Sequence, residues 1–385
     1  MELLTKMSHY MDRETPFYHY DLDLLSRTLD AMLSASSGYG FHVHYALKAN
    51  SNREILERIS AKGLGADCVS GNEITRAIET GFKKEDIAFA GVGKTDVEIK
   101  TGIENDIFSF NAESMQELEV INEIARAMGK KAPIALRINP NVNAKTHQYI
   151  TTGLEENKFG INSWEFETVL EKLENLKNLE LKGLHFHIGS QITDMSVFKG
   201  LCIRINEIQK WFVEHRIIAE HINVGGGLGV NYDHPDEKLI PDFDEFFKIF
   251  HDHLELYPNQ ELHFELGRAL VAQCGNLITR VLYIKNGVNV DFAIVDAGMT
   301  ELIRPALYES IHRIDKISVT ENSVEKKYDV VGPICESSDC FAKSIILPEL
   351  KRGDLLAIRS AGAYGEVMSS GYNLRSKVKT YYSER

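Results

Sequence analysis

The segment HVHYALKAN, residues 42–50, alternates polar and apolar side chains before it reaches a lysine. Alternation of this kind predicts a β-strand with one buried face. A lysine at the end of a strand most often lies at the surface, because Lys is seldom buried. The role of Lys48 therefore depends on what the rest of the chain brings to the same end of this strand.

Seven more apolar runs of strand length follow, separated by helical patterns. The eight predicted strands are His42–Leu47, Leu64–Val69, Ile87–Ala90, Ile107–Phe110, Pro133–Ile138, Leu181–Ile188, His221–Val224 and Glu261–Glu265. Segments with helical spacing between them include Asn52–Ala61, Gly71–Thr80, Ser114–Met128, Ser163–Leu176 and Val197–His215. Eight such β/α units in roughly 230 residues predict a (β/α)8 TIM-type barrel, which typically takes about 250. A doubly wound open sheet is the competing arrangement, but no G-x-G-x-x-G turn follows an early strand.

A second domain is predicted after the barrel, because helical periodicity fades beyond Arg268. Apolar runs there are separated by Gly, Asn and Pro, which is typical of an all-β domain. These runs are Thr279–Ile284, Phe292–Val295, Tyr328–Val331 and Leu355–Ile358. We predict a barrel over residues 24–271 and a β domain formed by 1–23 and 272–385, in which the N-terminal segment contributes a strand.

Composition favours a small-molecule function. The 385 residues carry a net charge of −13, which repels phosphate backbones and anionic lipid, so we expect neither nucleic acid nor membrane partners. No apolar run is long enough to span a bilayer, and no signal peptide is apparent, so we expect a cytoplasmic protein. The five cysteines form no C-x-x-C pair, which fits a reducing compartment. We expect Cys68, Cys202, Cys274 and Cys340 to be buried structural thiols.

Catalytic residues of a barrel lie at the carboxyl ends of its strands. The polar residues predicted there are Lys48, Asp67, Ser70, Asn111, Arg137, Asn139, His187, Ser190, the turn Gly225–Gly229, Glu265 and Arg268. Backbone amides of a glycine-rich turn bind phosphate, and the turn after the seventh strand is the usual phosphate position in barrels. Pyridoxal 5'-phosphate needs an amine to bind its aldehyde, a flat group against its ring and a partner for its ring nitrogen. The lysine, the flat His and the carboxylate at these strand ends fit those needs. We expect Lys48 to be desolvated there, so that it loses its proton and acts as a nucleophile.

Motifs along nearly the whole chain resemble the fold-type III pyridoxal phosphate-dependent decarboxylases, the group of ornithine, diaminopimelate and arginine decarboxylases. The motifs are YALKAN at Tyr45–Asn50, RINPNVNAKTHQYITTGLEENKFG at Arg137–Gly160, HFHIGSQ at His185–Gln191, GGGLG at Gly225–Gly229, DAGMTELIRPALY at Asp296–Tyr308, GPICESSD at Gly332–Asp339 and GAYG at Gly362–Gly365. One departure is Leu266, where the family usually has a proline between its Glu and Gly. That proline would fix the turn, whereas Glu265, Gly267 and Arg268 are retained.

The resemblance implies a role for each matching residue. Lys48 would bind the cofactor aldehyde, His187 would stack on the ring, and Glu265 would keep the ring nitrogen protonated. The implied phosphate contacts are Ser190, Gly225, Gly226, Gly227, Gly267 and Arg268, with Tyr364 adding a hydroxyl. Arg268, Arg304, Tyr308 and Tyr364 are implied substrate contacts, Glu336 would receive a distal ammonium, and Cys335 would return a proton to the α-carbon. The resemblance also implies a homodimer in which Cys335 and Glu336 complete the neighbour's active site.

The substrate is predicted from the loop that contains Cys335 and Glu336. A long Glu336 together with Arg304 suits a substrate whose far end bears both ammonium and carboxylate, as in meso-2,6-diaminopimelate, whose decarboxylation gives L-lysine and CO2 as the final step of lysine biosynthesis. Decarboxylation of ornithine, arginine or carboxynorspermidine in polyamine synthesis stays open. A non-catalytic binding homologue is disfavoured because Lys48 and Cys335 are both present.

A metal-dependent barrel hydrolase is a further alternative, because His42 and His44 form an H-x-H pair on one strand face. The fifth predicted strand offers Arg137 and Asn139 rather than His, and the eighth lacks the expected Asp. We therefore interpret both histidines as packing residues and expect no catalytic metal.

Overall fold

The computed structural model describes residues 13–142, 158–317 and 324–383. Most of the motif at Arg137–Gly160 lies outside the described residues. The chain divides into two compact units, which are treated separately below. The barrel unit comprises Thr28–Gly229 and Pro241–Gly267, and the β unit comprises Val230–Ile240, Arg268–Arg385 and the N-terminal residues up to Arg27.

The barrel unit is built on eight parallel strands that close on themselves, as predicted. Its strands are β2 (His42–Ala46), β3 (Gly65–Cys68), β4 (Ile87–Phe89), β5 (Ser109–Ala112), β6 (Ala132–Ile138), β7 (Leu179–Phe186), β8 (His221–Asn223) and β9 (Glu261–Leu266). The ring closes where β2 pairs in parallel with β9, His44 opposite Glu265. Because all strands run the same way, their carboxyl ends meet at one mouth of the barrel and their amino ends at the other.

Helices follow most of the strands. They are α1 (Leu22–Ser37), α2 (Arg53–Ala61), α3 (Gly71–Glu79), α4 (Asp96–Glu104), α5 (Met115–Ala127), α6 (Phe166–Leu173), α7 (Ser196–Glu214) and α8 (Phe243–His253). Polar caps fix where these helices begin: the Ser70 side chain accepts the N–H of Glu73, and Thr95 forms a capping box with Glu98. Each cap satisfies N–H groups that the first helical turn leaves unpaired, so each strand-to-helix turn keeps one conformation.

Aromatic rings fill the amino-terminal part of the barrel interior. His44, His221 and His263 are buried there and pack against the half-buried Phe108, whose ring lies 4.9 Å from His263 and 4.7 Å from His221 between centroids. Outside the strands, Phe198 and Phe250 pack against Phe246. The interior is therefore packed at the amino ends of the strands, which leaves the carboxyl-terminal mouth for polar residues.

The β unit contains one eight-stranded sheet, as the composition beyond Arg268 predicts. Its strands are β1 (Phe17–Tyr20), β10 (Gly275–Lys285), β11 (Asp291–Val295), β12 (Ile314–Lys316), β13 (Glu325–Val331), β14 (Cys340–Pro348), β15 (Leu355–Ile358) and β16 (Lys379–Tyr382). The N-terminal segment contributes the predicted strand: β1 pairs antiparallel with β10 and parallel with β16. Two short helices, α9 (Arg268–Val271) and α10 (Arg304–Tyr308), complete the unit.

Candidate active site

Lys48 lies on a single 3-10 turn, Leu47–Ala49, directly after β2. Its ammonium donates to Asp67 Oδ2 at the end of β3, with 3.0 Å between the two atoms. The side chain of Lys48 is 37% exposed, whereas that of Asp67 is fully buried. The predicted position at the barrel mouth is observed, but Lys48 is ion-paired and only partly desolvated. The sequence analysis missed this pairing, because it depends on side-chain directions at two neighbouring strand ends.

Asp67 and Glu265 are two buried carboxylates with opposite pKa shifts. Burial and the negative charge of Glu265 together raise the pKa of Asp67 to about 6, although Lys48 lowers it. Burial would also raise the pKa of Glu265, but the charge and hydrogen bond of His185, together with Lys48, hold it well below its usual value. Glu265 is therefore ionised at neutral pH, and Asp67 titrates close to the physiological range.

Three side-chain donors surround the Glu265 carboxylate. His185 Nε2 donates to it over 3.0 Å, Asn111 Nδ2 over 3.1 Å and Asn223 Nδ2 over 2.8 Å. These donors lie on β7, β5 and β8, so several strand ends converge on one carboxylate. The sequence analysis placed Asn111 at this mouth but did not identify His185 or Asn223 as partners. A signal for His185 was available, because residues two apart on a strand share one face and His187 had been singled out.

The glycine turn after β8 lies beside His187. Gly225 has a φ of +68°, a backbone conformation that favours glycine, and a Cβ on Gly226 would lie 2.0 Å from the carbonyl oxygen of Glu265. The N–H of Gly226 donates to His187 Nδ1 over 3.4 Å. Burial of the ring, together with the charges of Arg137 and Lys48, holds the pKa of His187 well below its ordinary value. His187 is therefore a neutral flat ring beside a backbone that no side chain obstructs.

Other predicted residues of the barrel unit have separate positions. Gly267 packs against the turn that carries Lys48, because a Cβ there would lie 2.9 Å from Ala49 Cβ. Ser190 is half-buried in the segment after β7. Arg137 forms an ion pair with the buried Glu113, with 2.7 Å between Nη1 and Oε1.

In the β unit, two buried arginines share one phenol oxygen. Arg268 and Arg304 donate to the hydroxyl oxygen of Tyr232 over 2.6 and 2.5 Å. Burial would raise the pKa of Tyr232, but the two guanidinium groups lower it below its ordinary value. Arg304 Nε is buried without a hydrogen-bond partner among the described residues. Such a group of donors suits an anion. The sequence analysis missed Tyr232, because no motif marks the segment around it.

The remaining predicted residues of the β unit lie on its loops and short helices. Tyr308 ends α10 and is half-buried, and the Arg268 guanidinium lies 4.7 Å from the ring centroid of Tyr364. Cys335 and Glu336 are adjacent and exposed, and Glu336 accepts from the hydroxyl of Tyr372 over 2.7 Å.

The loop that carries Cys335 and Glu336 is held by Asp339. The Asp339 carboxylate accepts the N–H groups of Met299 over 2.6 Å and Ile334 over 2.7 Å.

All five cysteines are free thiols, and Cys68, Cys202 and Cys274 are buried as predicted, whereas Cys340 is half-buried. In the described part of the chain, no helix has the length and apolarity needed to span a membrane.

His42 and His44 lie at the amino-terminal mouth of the barrel. His44 is buried and packs on His263, with 5.1 Å between ring centroids. His42 also stacks on His263, at 4.7 Å, but half of its side chain is exposed. Both histidines lie at the start of β2, while Lys48 follows the end of the same strand.

Comparison with known proteins agrees with this arrangement. Residues 23–272 match the family model of the pyridoxal-dependent decarboxylases, in its pyridoxal binding domain. Diaminopimelate decarboxylase of Bacteroides thetaiotaomicron is 55% identical over 372 residues, which cover 96% of each chain. The Helicobacter pylori enzyme of the same name is 42% identical over 95% of this chain and 89% of its own. Its crystal structure in complex with L-lysine superposes with a TM-score of 0.91 and 41% identity, over 98% of this chain and 93% of that one. The chain therefore belongs to the diaminopimelate decarboxylase family of the pyridoxal-dependent decarboxylases.

Proposed function

We propose that this protein removes one carboxylate of meso-2,6-diaminopimelate and releases L-lysine and CO2. The observation that carries the proposal is the ionised Glu265, which three donors hold at the same barrel mouth as Lys48 and the glycine turn. The similarity to diaminopimelate decarboxylases over nearly the whole chain supports the choice of substrate.

The residues of this mouth fit pyridoxal phosphate. The glycine turn packs so closely that a Cβ on Gly226 would lie 2.0 Å from the carbonyl oxygen of Glu265, and two buried oxygens, Asp67 Oδ1 and Asn111 Oδ1, have no partner among the described residues. In this proposal Lys48 binds the aldehyde, Glu265 the ring nitrogen and His187 the ring face. Ser190, Gly225–Gly227, Gly267, Arg268 and Tyr364 bind the phosphate end. When bound, pyridoxal phosphate supplies a ring that accepts the electron pair left by the departing CO2.

Proton positions follow from the geometry of the two carboxylates. Glu265 is an anion that would keep the ring nitrogen of bound pyridoxal phosphate protonated, and its hydrogen bonds to His185, Asn111 and Asn223 hold it in one orientation. Asp67 orients the amine of Lys48 by accepting its hydrogen bond, and burial together with Glu265 raises the pKa of Asp67 to about 6. Both carboxylates therefore act through fixed charge rather than through motion.

Substrate contacts come from the β unit in this proposal. Arg268 and Arg304, with Tyr308 and Tyr364, bind substrate carboxylate, because two buried guanidinium groups side by side on one phenol oxygen favour an anion. Glu336 binds the distal ammonium and Cys335 returns the proton to the α-carbon. Since Cys335 and Glu336 are exposed side by side on a braced loop, we propose that they complete the site of a second copy in a homodimer.

Domain and compartment assignments belong to the same proposal. The barrel domain of residues 24–271 binds the cofactor, and residues 1–23 with 272–385 complete the active site and the dimer interface. Five free thiols are consistent with a reducing cytoplasm.

The test is CO2 release from meso-diaminopimelate, ornithine, arginine and carboxynorspermidine, each supplied separately with pyridoxal phosphate. We expect turnover to be fastest with meso-diaminopimelate, because Glu336 and Arg304 offer opposite charges for its far end. Faster turnover of another substrate would contradict the substrate assignment. Borohydride reduction followed by peptide mapping should place the pyridoxyl group on Lys48, and a label on another lysine would refute the assignment of the cofactor site.

A mixture of two inactive variants tests the shared site. Lys48→Ala and Cys335→Ala subunits should regain activity when they are refolded together, because some mixed dimers then contain one intact site. Failure of this mixture, with both variants folded and dimeric, would show that each chain holds a complete site.

A further inference from the structure

The amino-terminal mouth of the barrel carries a second group of histidines and a carboxylate. His42 and His44 lie on β2, and Glu261 and His263 on β9, the two strands whose pairing closes the ring. His221, at the start of β8, packs 5.2 Å from His263 between ring centroids. The proposed decarboxylation uses none of these residues, so their arrangement requires its own explanation.

A chain of hydrogen bonds fixes which nitrogen of His263 carries a proton. His44 Nδ1 lies 3.0 Å from the carbonyl oxygen of Asp86, which can only accept, so this nitrogen is the donor. In the neutral ring of His44, Nε2 is then an acceptor. His263 Nδ1 lies 2.8 Å from that Nε2 and donates to it. In the neutral ring of His263, the opposite nitrogen, Nε2, then carries a lone pair.

This lone pair faces a carboxylate. His263 Nε2 lies 3.4 Å from Glu261 Oε2. The neutral tautomer therefore presents two acceptor atoms, an imidazole nitrogen and a carboxylate oxygen, to a cation between them. Histidines that bind a metal through one nitrogen commonly donate the other N–H to a partner, as His263 does to His44.

A third donor atom is close to these two. His42 Nε2 lies 4.0 Å from Glu261 Oε2, and the donor atoms of His42, Glu261 and His263 all lie within 4.8 Å of one another. Zinc bonds of about 2.0–2.2 Å place two donors on a tetrahedral ion roughly 3.3–3.5 Å apart. The pair from Glu261 and His263 already has this spacing. His42 is 52% exposed, so rotation of its side chain can bring its nitrogen closer.

A cavity gives access from solvent. About 440 Å³ of space opens at this mouth, lined in part by Phe108, His221 and Glu261. His221 Nε2 is buried and has no hydrogen-bond partner among the described residues. The mouth therefore combines an access route, two imidazole donors and one carboxylate.

We propose that His42, Glu261 and His263 bind one zinc-class divalent metal ion at the amino-terminal mouth of the barrel. Two imidazoles and a carboxylate favour such an ion over Mg²⁺ or Ca²⁺, which prefer oxygen ligands. The ion connects the first strand of the barrel to the last and stabilises the closure of the ring. This site is independent of the decarboxylation proposed above.

The test measures metal binding to the pyridoxal phosphate-loaded protein, prepared without a polyhistidine tag and freed of metal by a chelator. Calorimetry with Zn²⁺ and absorption spectra with Co²⁺ report the stoichiometry and the ligand geometry. We expect one ion per chain and a higher unfolding temperature when Zn²⁺ is present. Glu261→Gln and His42→Gln should each weaken binding by more than about tenfold, since even the loss of an outer partner typically costs that much. Both side chains are more than half exposed, so both variants are expected to fold.

A matched control is His234→Gln. His234 Nε2 lies 3.5 Å from Asp233 Oδ2, and both side chains are exposed, so it offers a histidine–carboxylate contact outside the proposed group of three ligands. This variant should bind Zn²⁺ as the parent protein does. Absence of binding at micromolar Zn²⁺, binding that survives both Glu261→Gln and His42→Gln, or equal loss in His234→Gln would each overturn the proposal. Metal removal leaves CO2 release unchanged, which separates this test from that of the proposed function.

Discussion

The two mouths of the barrel carry the same kinds of side chain in opposite states. At the carboxyl-terminal mouth Lys48 pairs with a buried Asp67, and His185 donates to a buried Glu265. At the amino-terminal mouth Lys182 pairs with an exposed Glu220 over 2.8 Å, and His263 faces the exposed Glu261.

Burial and the number of donors account for the difference. The charge on Glu265 is held by three N–H groups in a buried site, where fixed charge is effective in catalysis. The carboxylates of the other mouth, Glu220 and Glu261, are exposed, so solvent screens their charge. Residue type alone therefore does not identify the catalytic mouth.

The largest effect is expected from Lys48→Ala, which removes the amine that binds the cofactor. Decarboxylation should fall by about 10⁴-fold or more, the scale seen when an enzyme loses its nucleophile. The measurement is kcat for CO2 release. Lys182→Ala removes a lysine that also pairs with a carboxylate, at the opposite mouth, and should change kcat by less than about twofold. An equal loss in both variants would refute the functional difference between the two mouths.

Glu265→Gln should have the next largest effect. The amide keeps the shape of the side chain but loses the charge, so the ring nitrogen is no longer held protonated and kcat should fall by about 10²- to 10³-fold. Glu220→Gln is the matched change at the opposite mouth, and we expect activity to be retained. Near-normal activity of Glu265→Gln, with bound cofactor verified by absorption, would contradict the assigned role.

His185→Leu should lower the free energy of unfolding and not only slow decarboxylation. Glu265 would lose a charge-assisted hydrogen bond inside the protein, at a cost of about 1.5–3 kcal/mol in the free energy of unfolding. His263→Leu removes a neutral hydrogen bond to His44 and should cost about 1 kcal/mol. Denaturant unfolding of the metal-free protein measures both values. A larger cost for His263→Leu would reverse the comparison.

The smallest effect concerns pH. The pKa of Asp67 is raised to about 6 in the folded state by burial and by Glu265, so the folded protein holds this proton more tightly than the unfolded chain. Asp67 therefore stabilises the folded protein at pH values below the ordinary pKa of an Asp side chain. This contribution is lost as pH rises from about 4 to about 6. Unfolding of the cofactor-free protein at several pH values, compared with Asp67→Asn, measures the change. A difference between the two proteins that is constant with pH, or that grows in favour of the parent, would disprove it.

Sequence patterns predicted the barrel because apolar residues recur at a regular spacing in each strand. The end of β2 was predicted at Leu47 and lies at Ala46, since Lys48 occupies its own 3-10 turn. Strands such as β14 were not predicted, because much of β14 is exposed and its few buried residues do not alternate regularly with exposed ones. Lys48, His187 and Glu265 could be predicted as candidates because strand ends of a barrel must meet.

Partners within the site were harder to predict. The bond from Asn223 to Glu265 and the ion pair of Lys48 with Asp67 depend on rotamers and on strand register. Tyr232 lies in a segment without a motif, and only the fold of the β unit brings it to Arg268 and Arg304.

The pairing of β1 with β16 has a consequence for synthesis on the ribosome. Phe17 lies opposite Lys379 in this pair, so one sheet joins residues from near the start and the end of the chain. At about 5–20 residues per second, β16 emerges roughly 20–70 s after β1. The whole barrel unit is translated in that interval, while β1 exposes unpaired backbone N–H and C=O groups to which a chaperone can bind. The barrel can therefore form during translation, whereas the sheet of the β unit is completed only at its end.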